Sequence, residues 1–423
     1  MEKFRIFGGY RLSGTVTVSG AKNAALPCLA ATLLTREPVR LSGLPRVRDI
    51  LTMEKVLRTL GEHCQHDNGT TTVVMGQATA THAPYELVRT MRASVLVLGP
   101  LLASRRQARV ALPGGCAIGA RPIDFHLSAL ARLGADIRVE HGDVVAEAPR
   151  GLFGAEIAFP RVTVTGTENL LMAATLARGR TVLSGCAREP EVVDLAAMLT
   201  LMGARISGAG TDVIEVEGVD QLTGCSHTVI PDRIEAGTYL LAALMVGDGV
   251  RIEGCVPEHL SAVLEVLGSA GAQVEVQPQA LVVPRQQTPL RAFTVSTQEY
   301  PGFPTDLQAQ AMALATQAEG RSEIVENIFE NRFQHVLELK RLGADISVEG
   351  RKAVVRGPTK LQGTTVMASD LRASAALVLA GLAAEGETVV DRIYHLDRGY
   401  ETMEVKLSQL GARIERFNPG PFL

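Results

Sequence analysis

The sequence predicts an α/β protein built from six copies of one unit of strands and helices. The first observation is a short motif that recurs about every 70 residues. It consists of Leu, Met or Ala followed by Gly, and in five of the six copies the next residue is Ala. An amphipathic segment such as 123–133 or 333–342 precedes the motif, and an alternating strand such as 137–139 follows it. Each glycine is therefore predicted to end a helix. These glycines are Gly61, Gly134, Gly203, Gly271, Gly343 and Gly411.

A second observation is a run of alanine and leucine before each amphipathic segment. Such a run has almost no polar face, so it predicts a helix inside a domain. Short strands follow, as at 181–183 and 388–390, so each copy reads as strand, buried helix, strand, amphipathic helix, strand, strand. Because this period exceeds that of the common solenoids, two domains of three copies are predicted, with helices inside and sheets outside. The runs are 24–34, 93–103, 170–177, 236–246, 307–318 and 372–384.

Length and charge exclude several function classes. The chain has 423 residues, long enough for two or three domains, and its 42 Lys and Arg nearly balance 45 Asp and Glu. Without a basic tail, nucleic acid is not an expected partner. Apolar stretches such as 373–384 are shorter than the roughly 18–20 residues that cross a bilayer, and residues 1–5 do not resemble a signal peptide. We expect a soluble cytoplasmic protein.

The cysteines predict neither disulfides nor a metal site. The six show no paired spacing, which fits reduced thiols. The run His63-Cys64-Gln65-His66 is polar, glycine-flanked and lacks a distant second pair, so we expect a solvated turn there. No metal and no cofactor are predicted. The cysteines are Cys28, Cys64, Cys116, Cys186, Cys225 and Cys255.

The segment 113–124 is the strongest candidate for chemistry. Gly114, Gly115 and Gly119 frame Cys116, and Arg121 follows five residues later. Glycines let a segment lie against a ligand or move, and a nearby arginine lowers a thiol pKa or holds an anion. A mobile loop carrying a nucleophile or acid is one interpretation. A turn with an incidental cysteine is the other.

Polar residues stand where the buried helices begin. A helix N-terminus offers unpaired amides and partial positive charge, so six such starts favour a cleft for multiply anionic substrates. Simple helix capping is the alternative. The residues are Lys22 and Asn23 in copy one, Arg92 in copy two, 167–169 in copy three, 232–235 in copy four, Asp306 in copy five and 370–372 in copy six.

Four motifs spread along the chain resemble those of the UDP-N-acetylglucosamine 1-carboxyvinyltransferase family, also called UDP-N-acetylglucosamine enolpyruvyl transferase. They are 21–27 (AKNAALP), 113–122 (PGGCAIGARP), 303–306 (FPTD) and 392–401 (RIYHLDRGYE). The resemblance implies two inverse α/β barrel domains of three repeated βαβαββ units each. It implies domains of residues 22–230 and of 1–21 with 231–423, crossings near 20–22 and 231–233, and an active site in the cleft between them.

The resemblance also implies a reaction, the first committed step of peptidoglycan synthesis. The 3′-hydroxyl of UDP-N-acetylglucosamine adds to C2 of phosphoenolpyruvate, and phosphate is then eliminated. Cys116 would donate the proton to the methylene carbon and Asp306 would accept the hydroxyl proton. Lys22, Arg121 and Arg398 would bind phosphoenolpyruvate. Asn23 would orient the tetrahedral intermediate.

For the nucleotide sugar, the resemblance implies contacts from several short segments. They are Arg92, Arg121, Pro122, Ile123, Asp124, Phe125, Arg161, Val162, Thr163, Val164, Asp306 and Ile328. Closure and positioning of the cleft fall to a second set of charged residues. These are Glu189, Arg332, Asp370 and Arg372. The expected partners are the two small-molecule substrates, and the expected assembly is a monomer or weak homo-oligomer.

Two alternatives remain at this stage. The first is a 5-enolpyruvylshikimate-3-phosphate synthase, which shares the implied fold and phosphoenolpyruvate but, by resemblance, not the Cys116 loop. The second is a non-catalytic sensor of UDP-N-acetylglucosamine. Loss of a catalytic residue would favour a sensor, whereas Lys22, Cys116, Asp306 and Arg398 are all present. The transferase is the preferred interpretation.

Overall fold

The computed structural model describes residues 2–77, 79–89, 91–112 and 123–420. They divide into two compact units. The terminal unit contains residues 2–19 and 231–420, and the inserted unit contains the described residues between 20 and 230. Residues 20 and 21 belong to the inserted unit, where the Ala21 N–H donates to the Ile230 carbonyl at 2.7 Å.

The inserted unit contains three repeats of strands and helices. Its described α-helices are Lys22–Ala31, Arg48–Thr59, Tyr85–Val88, Leu98–Arg105, Asp124–Arg132, Val164–Ala174 and Pro190–Leu201, with short 3-10 helices at Thr32–Leu34 and Arg92–Val97. Its three sheets, each in hydrogen-bonded order, are Ser226–Thr228, Val39–Ser42, Thr70–Met75, Glu62–Asp67; His82–Ala83, Gln107–Ala111, Asp143–Glu147, Asp136–Glu140; and Glu156–Ala158, Arg180–Ser184, Val213–Glu217, Arg205–Ser207.

The terminal unit repeats the same design. Its α-helices are Arg233–Val246, Ser261–Ser269, Gln308–Ala315, His335–Arg341, Leu371–Ala383 and Met403–Gln409, with 3-10 helices at Pro257–Leu260, Thr305–Leu307 and Ile393–Arg398. Its three sheets, in hydrogen-bonded order, are Leu12–Thr17, Gly247–Glu253, Ala280–Val283, Glu275–Gln277; Thr294–Ser296, Gly320–Val325, Lys352–Gly357, Asp345–Glu349; and Thr365–Met367, Glu387–Asp391, Lys3–Phe7, Arg413–Phe417.

All six sheets share one arrangement of strands. The first two strands run parallel, and in four sheets a segment with a buried helix directly connects them, as between Thr294–Ser296 and Gly320–Val325, where Thr294 pairs with Glu323. The remaining two strands run antiparallel to each other, as where Asp345 lies opposite Arg356. In three sheets one strand comes from far along the chain: Ser226–Thr228 in the inserted unit, and Leu12–Thr17 and Lys3–Phe7 in the terminal unit. The predicted βαβαββ repeat and the α/β fold are confirmed.

The core of each unit consists of the predicted apolar helices. In Arg233–Val246 and Leu371–Ala383 nearly every side chain is buried, and these two helices and Gln308–Ala315 pack against one another. Lys22–Ala31, Leu98–Arg105 and Val164–Ala174 take the same position in the inserted unit. Each helix has apolar residues all round because sheets and amphipathic helices surround it. Among the described residues, no helix has the length and apolar composition needed to cross a membrane.

One local expectation is wrong. Residues 63–66 are not a solvated turn, since they lie in the strand Glu62–Asp67, which pairs with Thr70–Met75. The turn comes two residues later, at Asn68 and Gly69, whose φ angles are positive. His66 is held on the strand by Thr71 Oγ1 at 3.1 Å and by a carboxylate oxygen of Glu54 at 3.3 Å.

The recurring glycines all end helices in the left-handed conformation. Their φ angles lie between 91° and 103°. At Gly203 nothing within 4 Å would meet an added Cβ, so its strain would come from the backbone alone. We expect Gly203→Ala to lower the free energy of unfolding by about 1–2 kcal/mol in urea denaturation.

Gly268→Ala provides the matched control. Gly268 lies within the helix Ser261–Ser269, also has open space around it, and does not have the left-handed backbone of Gly203. Alanine there should raise the free energy of unfolding by about 0.5–1 kcal/mol. Equal stability of Gly203→Ala and the wild type would show that the helix stop does not need glycine.

Candidate active site

Asp306 is the centre of the charged cluster in the terminal unit. It lies in the 3-10 turn Thr305–Leu307, which leads into the buried helix Gln308–Ala315. Its Oδ1 accepts a hydrogen bond from Arg332 Nη2 at 2.7 Å, and its Oδ2 accepts two from Arg372, at 2.9 Å from Nη2 and 3.1 Å from Nε. Both arginines are buried, so the carboxylate is clamped from two sides.

This clamp decides the protonation state of Asp306. Removal from water alone would raise the pKa of the carboxyl group, but the charges of Arg372 and Arg332 and the hydrogen bonds they donate hold it well below its usual value. The carboxylate therefore stays ionised at neutral pH. A carboxylate with so low a pKa is a weak proton acceptor while both arginines bind it.

Glu326 positions one side of the clamp. This carboxylate is buried and accepts hydrogen bonds from the backbone N–H of Ile328 at 2.9 Å and of Phe329 at 3.0 Å. It also accepts the hydroxyl hydrogen of Thr305. The Thr305 oxygen in turn accepts a hydrogen bond from Arg332 Nη1 at 2.7 Å. Glu326 thus links the loop after strand Gly320–Val325 to the arginine that holds Asp306.

Asp370 and Tyr400 position the other side. Asp370 is the N-cap of helix Leu371–Ala383, where its Oδ1 accepts from the N–H groups of Arg372 and Ala373. The Arg372 guanidinium lies over the Tyr400 ring, 5.4 Å from its centroid. The Tyr400 hydroxyl contacts Thr238 Oγ1 at 2.8 Å and Gln310 Nε2 at 3.1 Å, which joins the three buried helices of this unit. Asp370 therefore caps a helix rather than pairing with Arg372 through its side chain.

Arg398 completes the cationic residues predicted for the terminal unit. It is the last residue of the 3-10 helix Ile393–Arg398 and is half-buried. Burial lowers the pKa of the nearby His395, and the charge of Arg398 lowers it further. At neutral pH His395 is therefore expected to be uncharged.

In the inserted unit, Lys22 opens the first buried helix, Lys22–Ala31. The lysine is buried, and its Nζ lies 3.2 Å from Oδ2 of Asp49, which is also buried. A buried ammonium needs such a partner, because an uncompensated charge away from water is costly. Asn23 follows on the same helix and is half-buried.

The segments predicted to contact a nucleotide sugar begin two helices of the inserted unit. Ile123 and Asp124 start helix Asp124–Arg132, and Thr163 is the N-cap of Val164–Ala174, its Oγ1 accepting from the N–H of Gly166 at 3.2 Å. The two starts lie close together, since the Arg161 guanidinium is over the Phe125 ring at 5.2 Å. Val162, which stands between Arg161 and Thr163 in the sequence, is half-buried.

Asn169 holds these two helices in place. Its Nδ2 donates to His126 Nδ1 at 3.0 Å and to the Val95 carbonyl at 3.0 Å, and its Oδ1 accepts from the Gly99 N–H at 2.6 Å. Burial lowers the pKa of His126 to about 4, with Arg92 lowering it further, so the ring is neutral and accepts through Nδ1. Arg92 itself opens the 3-10 helix Arg92–Val97.

The prediction for residues 167–169 needs correction. They do not stand at a helix start, because the helix begins at Val164. All three are residues of this helix, and their side chains are buried. Burial raises the pKa of Glu168 well above its usual value, and the neighbouring carboxylates Glu191 and Glu189 raise it further. Glu189 is buried directly before helix Pro190–Leu201. Glu168 and Asn169 are interior residues rather than ligands at a helix mouth.

Three predicted residues lie outside the described residues: Cys116, Arg121 and Pro122. Of the others, Asp306, Arg332 and Arg372 are in direct contact, as are Phe125 and Arg161. Glu326 and Asn169 were not predicted to position site residues. The sequence offered one usable signal for Glu326, a carboxylate directly after a strand and before an irregular segment. Neither hydrogen-bonding role follows from sequence spacing.

Comparisons with known proteins agree with this architecture. The family model for EPSP synthase (3-phosphoshikimate 1-carboxyvinyltransferase) matches residues 6–407. A UDP-N-acetylglucosamine 1-carboxyvinyltransferase of Koribacter versatilis (strain Ellin345) is 56% identical over 420 residues, covering 98% of this chain and 96% of that protein. One of Solibacter usitatus (strain Ellin6076) is 55% identical over 416 residues, covering 98% and 100%.

Solved structures support the same fold. The enolpyruvyl transferase NikO from Streptomyces tendae superposes with a TM-score of 0.89 at 29% identity, covering 99% of both chains. An EPSP synthase from Acinetobacter baumannii superposes with a TM-score of 0.76 at 19% identity, covering 99% of this chain and 100% of that one, and supports the fold alone. The chain therefore belongs to the EPSP synthase family of enolpyruvyl transferases and, within it, to the UDP-N-acetylglucosamine 1-carboxyvinyltransferases.

Proposed function

We propose that this protein transfers the enolpyruvyl group of phosphoenolpyruvate to the 3′-hydroxyl of UDP-N-acetylglucosamine and releases phosphate, the first committed step of peptidoglycan synthesis. One observation carries the proposal: over 98% of its length the chain is 55–56% identical to proteins named for this activity. The sequence also contains Lys22, Cys116, Asp306 and Arg398, the residues the reaction needs.

The reaction has two halves. In the addition, the sugar hydroxyl oxygen forms a bond to C2 of phosphoenolpyruvate, Asp306 accepts the hydroxyl proton and Cys116 donates a proton to C3. In the elimination, C3 loses a proton, the C2–O bond to phosphate breaks and the double bond returns. In this proposal Cys116 also forms a covalent adduct: its thiolate sulfur bonds to C2 of phosphoenolpyruvate while the C2–C3 double bond becomes single and C3 gains a proton. The roles of Cys116 and Asp306 derive from the motifs that contain them.

The arginine clamp bears directly on the proton transfer. While Arg332 and Arg372 bind Asp306, its low pKa makes it a poor base. Substrate phosphates compete for the same guanidinium groups, since arginine binds phosphate and carboxylate with the same planar geometry. We infer that substrate binding draws positive charge from Asp306 and raises its pKa toward the value that general base catalysis requires.

The remaining residues supply binding and electrostatic stabilisation. Lys22, Arg121 and Arg398 are assigned to the phosphate and carboxylate of phosphoenolpyruvate, and Asn23 to the tetrahedral intermediate. Positive charges placed where negative charge develops lower the barrier of the addition. Glu189, Arg332, Asp370 and Arg372 are assigned to closure and positioning.

The residues assigned to the nucleotide sugar form two sets, which come from different parts of the chain. One set comprises Arg92, Arg121 to Phe125 and Arg161 to Val164, supported by the proximity of Phe125 and Arg161. The other comprises Asp306 and Ile328 in the terminal unit, where Glu326 fixes the backbone at Ile328. We further propose a cytoplasmic location and a monomer or weak homo-oligomer.

The 5-enolpyruvylshikimate-3-phosphate synthase alternative is less well supported. The EPSP synthase structure compared above is 19% identical to this chain, against 55–56% for the nucleotide-sugar enzymes. By resemblance, that alternative enzyme also does not use the cysteine loop present here at 113–122. A non-catalytic sensor would not need Cys116 and Asp306 together.

Phosphate release tests the reaction and the role of Asp306 together. We expect wild-type protein to release phosphate from phosphoenolpyruvate only when UDP-N-acetylglucosamine is present. Asp306→Ala should lower this turnover about 10²–10⁴-fold, the range for loss of a general base, while calorimetric affinity for the nucleotide sugar, which Asp306 also contacts in this proposal, falls by a much smaller factor. Asp345→Ala, which removes an exposed carboxylate of the same unit, is the control. Near-normal turnover by Asp306→Ala would leave Asp306 a structural residue.

A second experiment concerns Glu326 as a positioning residue. Glutamine keeps the oxygen that accepts from Ile328 and Phe329 but replaces the second oxygen, which accepts from Thr305 at 2.9 Å, by an NH2 group that cannot accept, so the support of Arg332 through Thr305 is weakened. We expect Glu326→Gln to raise the KM for UDP-N-acetylglucosamine about 10-fold to 100-fold with a smaller change in kcat, as loss of a buried hydrogen bond predicts. Glu330→Gln, an exposed neighbour, should behave as wild type. A fall in kcat with unchanged KM would contradict the positioning role.

A third experiment concerns Cys116. Burial raises the pKa of every other cysteine, to about 12 at Cys64 and about 11 at Cys186. We therefore expect fosfomycin, a phosphonate epoxide that by family resemblance mimics phosphoenolpyruvate, to alkylate Cys116 selectively and faster with nucleotide sugar present. Peptide mass mapping checks this. Cys116→Asp should retain some turnover but resist labelling, and inactivation of that variant by the epoxide would place the reactive group elsewhere.

A further inference from the structure

Three metal-ligating side chains converge inside the inserted unit, apart from the residues assigned to the reaction. The ligand atoms of Cys28, Asp194 and His227 all lie within 4.8 Å of one another. Cys28 Sγ is 3.8 Å from Asp194 Oδ2, and His227 Nε2 is 3.0 Å from Asp194 Oδ1. They come from helix Lys22–Ala31, helix Pro190–Leu201 and strand Ser226–Thr228, so the tertiary fold alone brings them together.

The net charge of these three side chains favours the binding of a cation among them. The side chain of Asp194 is only 3% exposed, and among the described residues its one ion-pair partner is His227, with no lysine or arginine in reach. Buried carboxylates ordinarily pair with a full positive charge or bind a metal. Cys28 is completely buried beside it. A divalent ion with a thiolate, a carboxylate and a neutral imidazole sums to zero charge, which suits an interior site.

The distances also suit a tetrahedral ion. Zinc binds Cys sulfur at about 2.3 Å and His nitrogen or carboxylate oxygen at about 2.0–2.2 Å, which places tetrahedral S and O ligands about 3.6 Å apart and N and O ligands about 3.4 Å apart. The observed separations, 3.8 Å from Cys28 Sγ to Asp194 Oδ2 and 3.0 Å from His227 Nε2 to Asp194 Oδ1, differ from these by a few tenths of an ångström, and the Asp194 carboxylate faces the other two ligands with one oxygen each. Mixed sulfur, nitrogen and oxygen donors favour Zn²⁺ over Mg²⁺ or Ca²⁺, which prefer oxygen alone.

We propose that Cys28, Asp194 and His227 form a binding site for a divalent transition-metal ion, of which Zn²⁺ fits best. Binding replaces the thiol proton of Cys28 by the metal and releases one proton to solvent. The ion joins the helix that begins at Lys22 to the strand Ser226–Thr228, which pairs with Val39–Ser42 just before the chain leaves the inserted unit at residue 230. Its role is structural, since none of the three residues is assigned to the reaction.

The same contacts would also exist without metal, as hydrogen bonds from the Cys28 thiol and the His227 ring to Asp194. Titration of the full-length, chelator-treated protein separates the two. With a metal site, one equivalent of Zn²⁺ raises the thermal unfolding midpoint, and one equivalent of Co²⁺ gives a thiolate-to-cobalt charge-transfer band. A hydrogen-bonded triad alone gives neither, and that result in the wild-type protein would overturn the proposal.

Variants assign the signal to these residues. Cys28→Ala should remove the cobalt band and weaken Zn²⁺ binding more than about 100-fold, beyond the loss that a supporting residue causes. His227→Gln provides a second ligand deletion in case Cys28→Ala does not fold. Cys186→Ala is the matched control, because Cys186 is a buried cysteine of the same unit that donates to the Leu183 carbonyl at 3.4 Å. Metal binding retained by both ligand variants would contradict the assignment.

Discussion

Each unit depends on the burial of three helices that have no polar face. Such a helix cannot lie on a surface, because its apolar side chains on every side must leave water. The three helices therefore pack against one another, and sheets and amphipathic helices enclose them. Small residues make this packing possible: at Gly99 an added Cβ would come within 2.3 Å of Asn169 Oδ1. The repeat of strands and helices around the core follows from that requirement.

The same constraint concentrates polar chemistry at the helix starts. The sides of Leu371–Ala383 are apolar, so charged residues lie at its start, where the backbone N–H groups have no acceptor within the helix. Asp370, the cap, and Arg372 are examples. Lys22 opens its helix in the same way, and Asp306 lies in the turn that leads into Gln308–Ala315. The positions of Lys22, Asp306 and Arg372 are therefore set by the buried helices that contain or follow them.

Burial also forces charges to pair, and the pairs set the chemistry. Lys22 binds Asp49, Lys406 binds Glu235, and Asp306 binds two arginines. For Asp306 this pairing stabilises the free protein but lowers the basicity that the proposed reaction needs. In the proposed function, a substrate carrying phosphate groups resolves the conflict, because it offers the arginines another anion. Asp194 is the contrasting case, a buried carboxylate whose ion-pair partner among the described residues is a histidine.

The sequence by itself determined the six repeats, the helix stops and the buried helices, because periodicity and glycine conformation are properties of short segments. Its motifs also made Lys22, Asp306 and Arg398 candidate site residues, although they could not specify the side chains that these residues contact. Only the tertiary structure decided that Arg332 and Arg372 bind Asp306 and that Glu168 is interior. It also decided that Cys28 and His227 both lie against Asp194. Those contacts join residues separated by tens to hundreds of positions. Packing creates such proximity, and no local pattern in the chain encodes it.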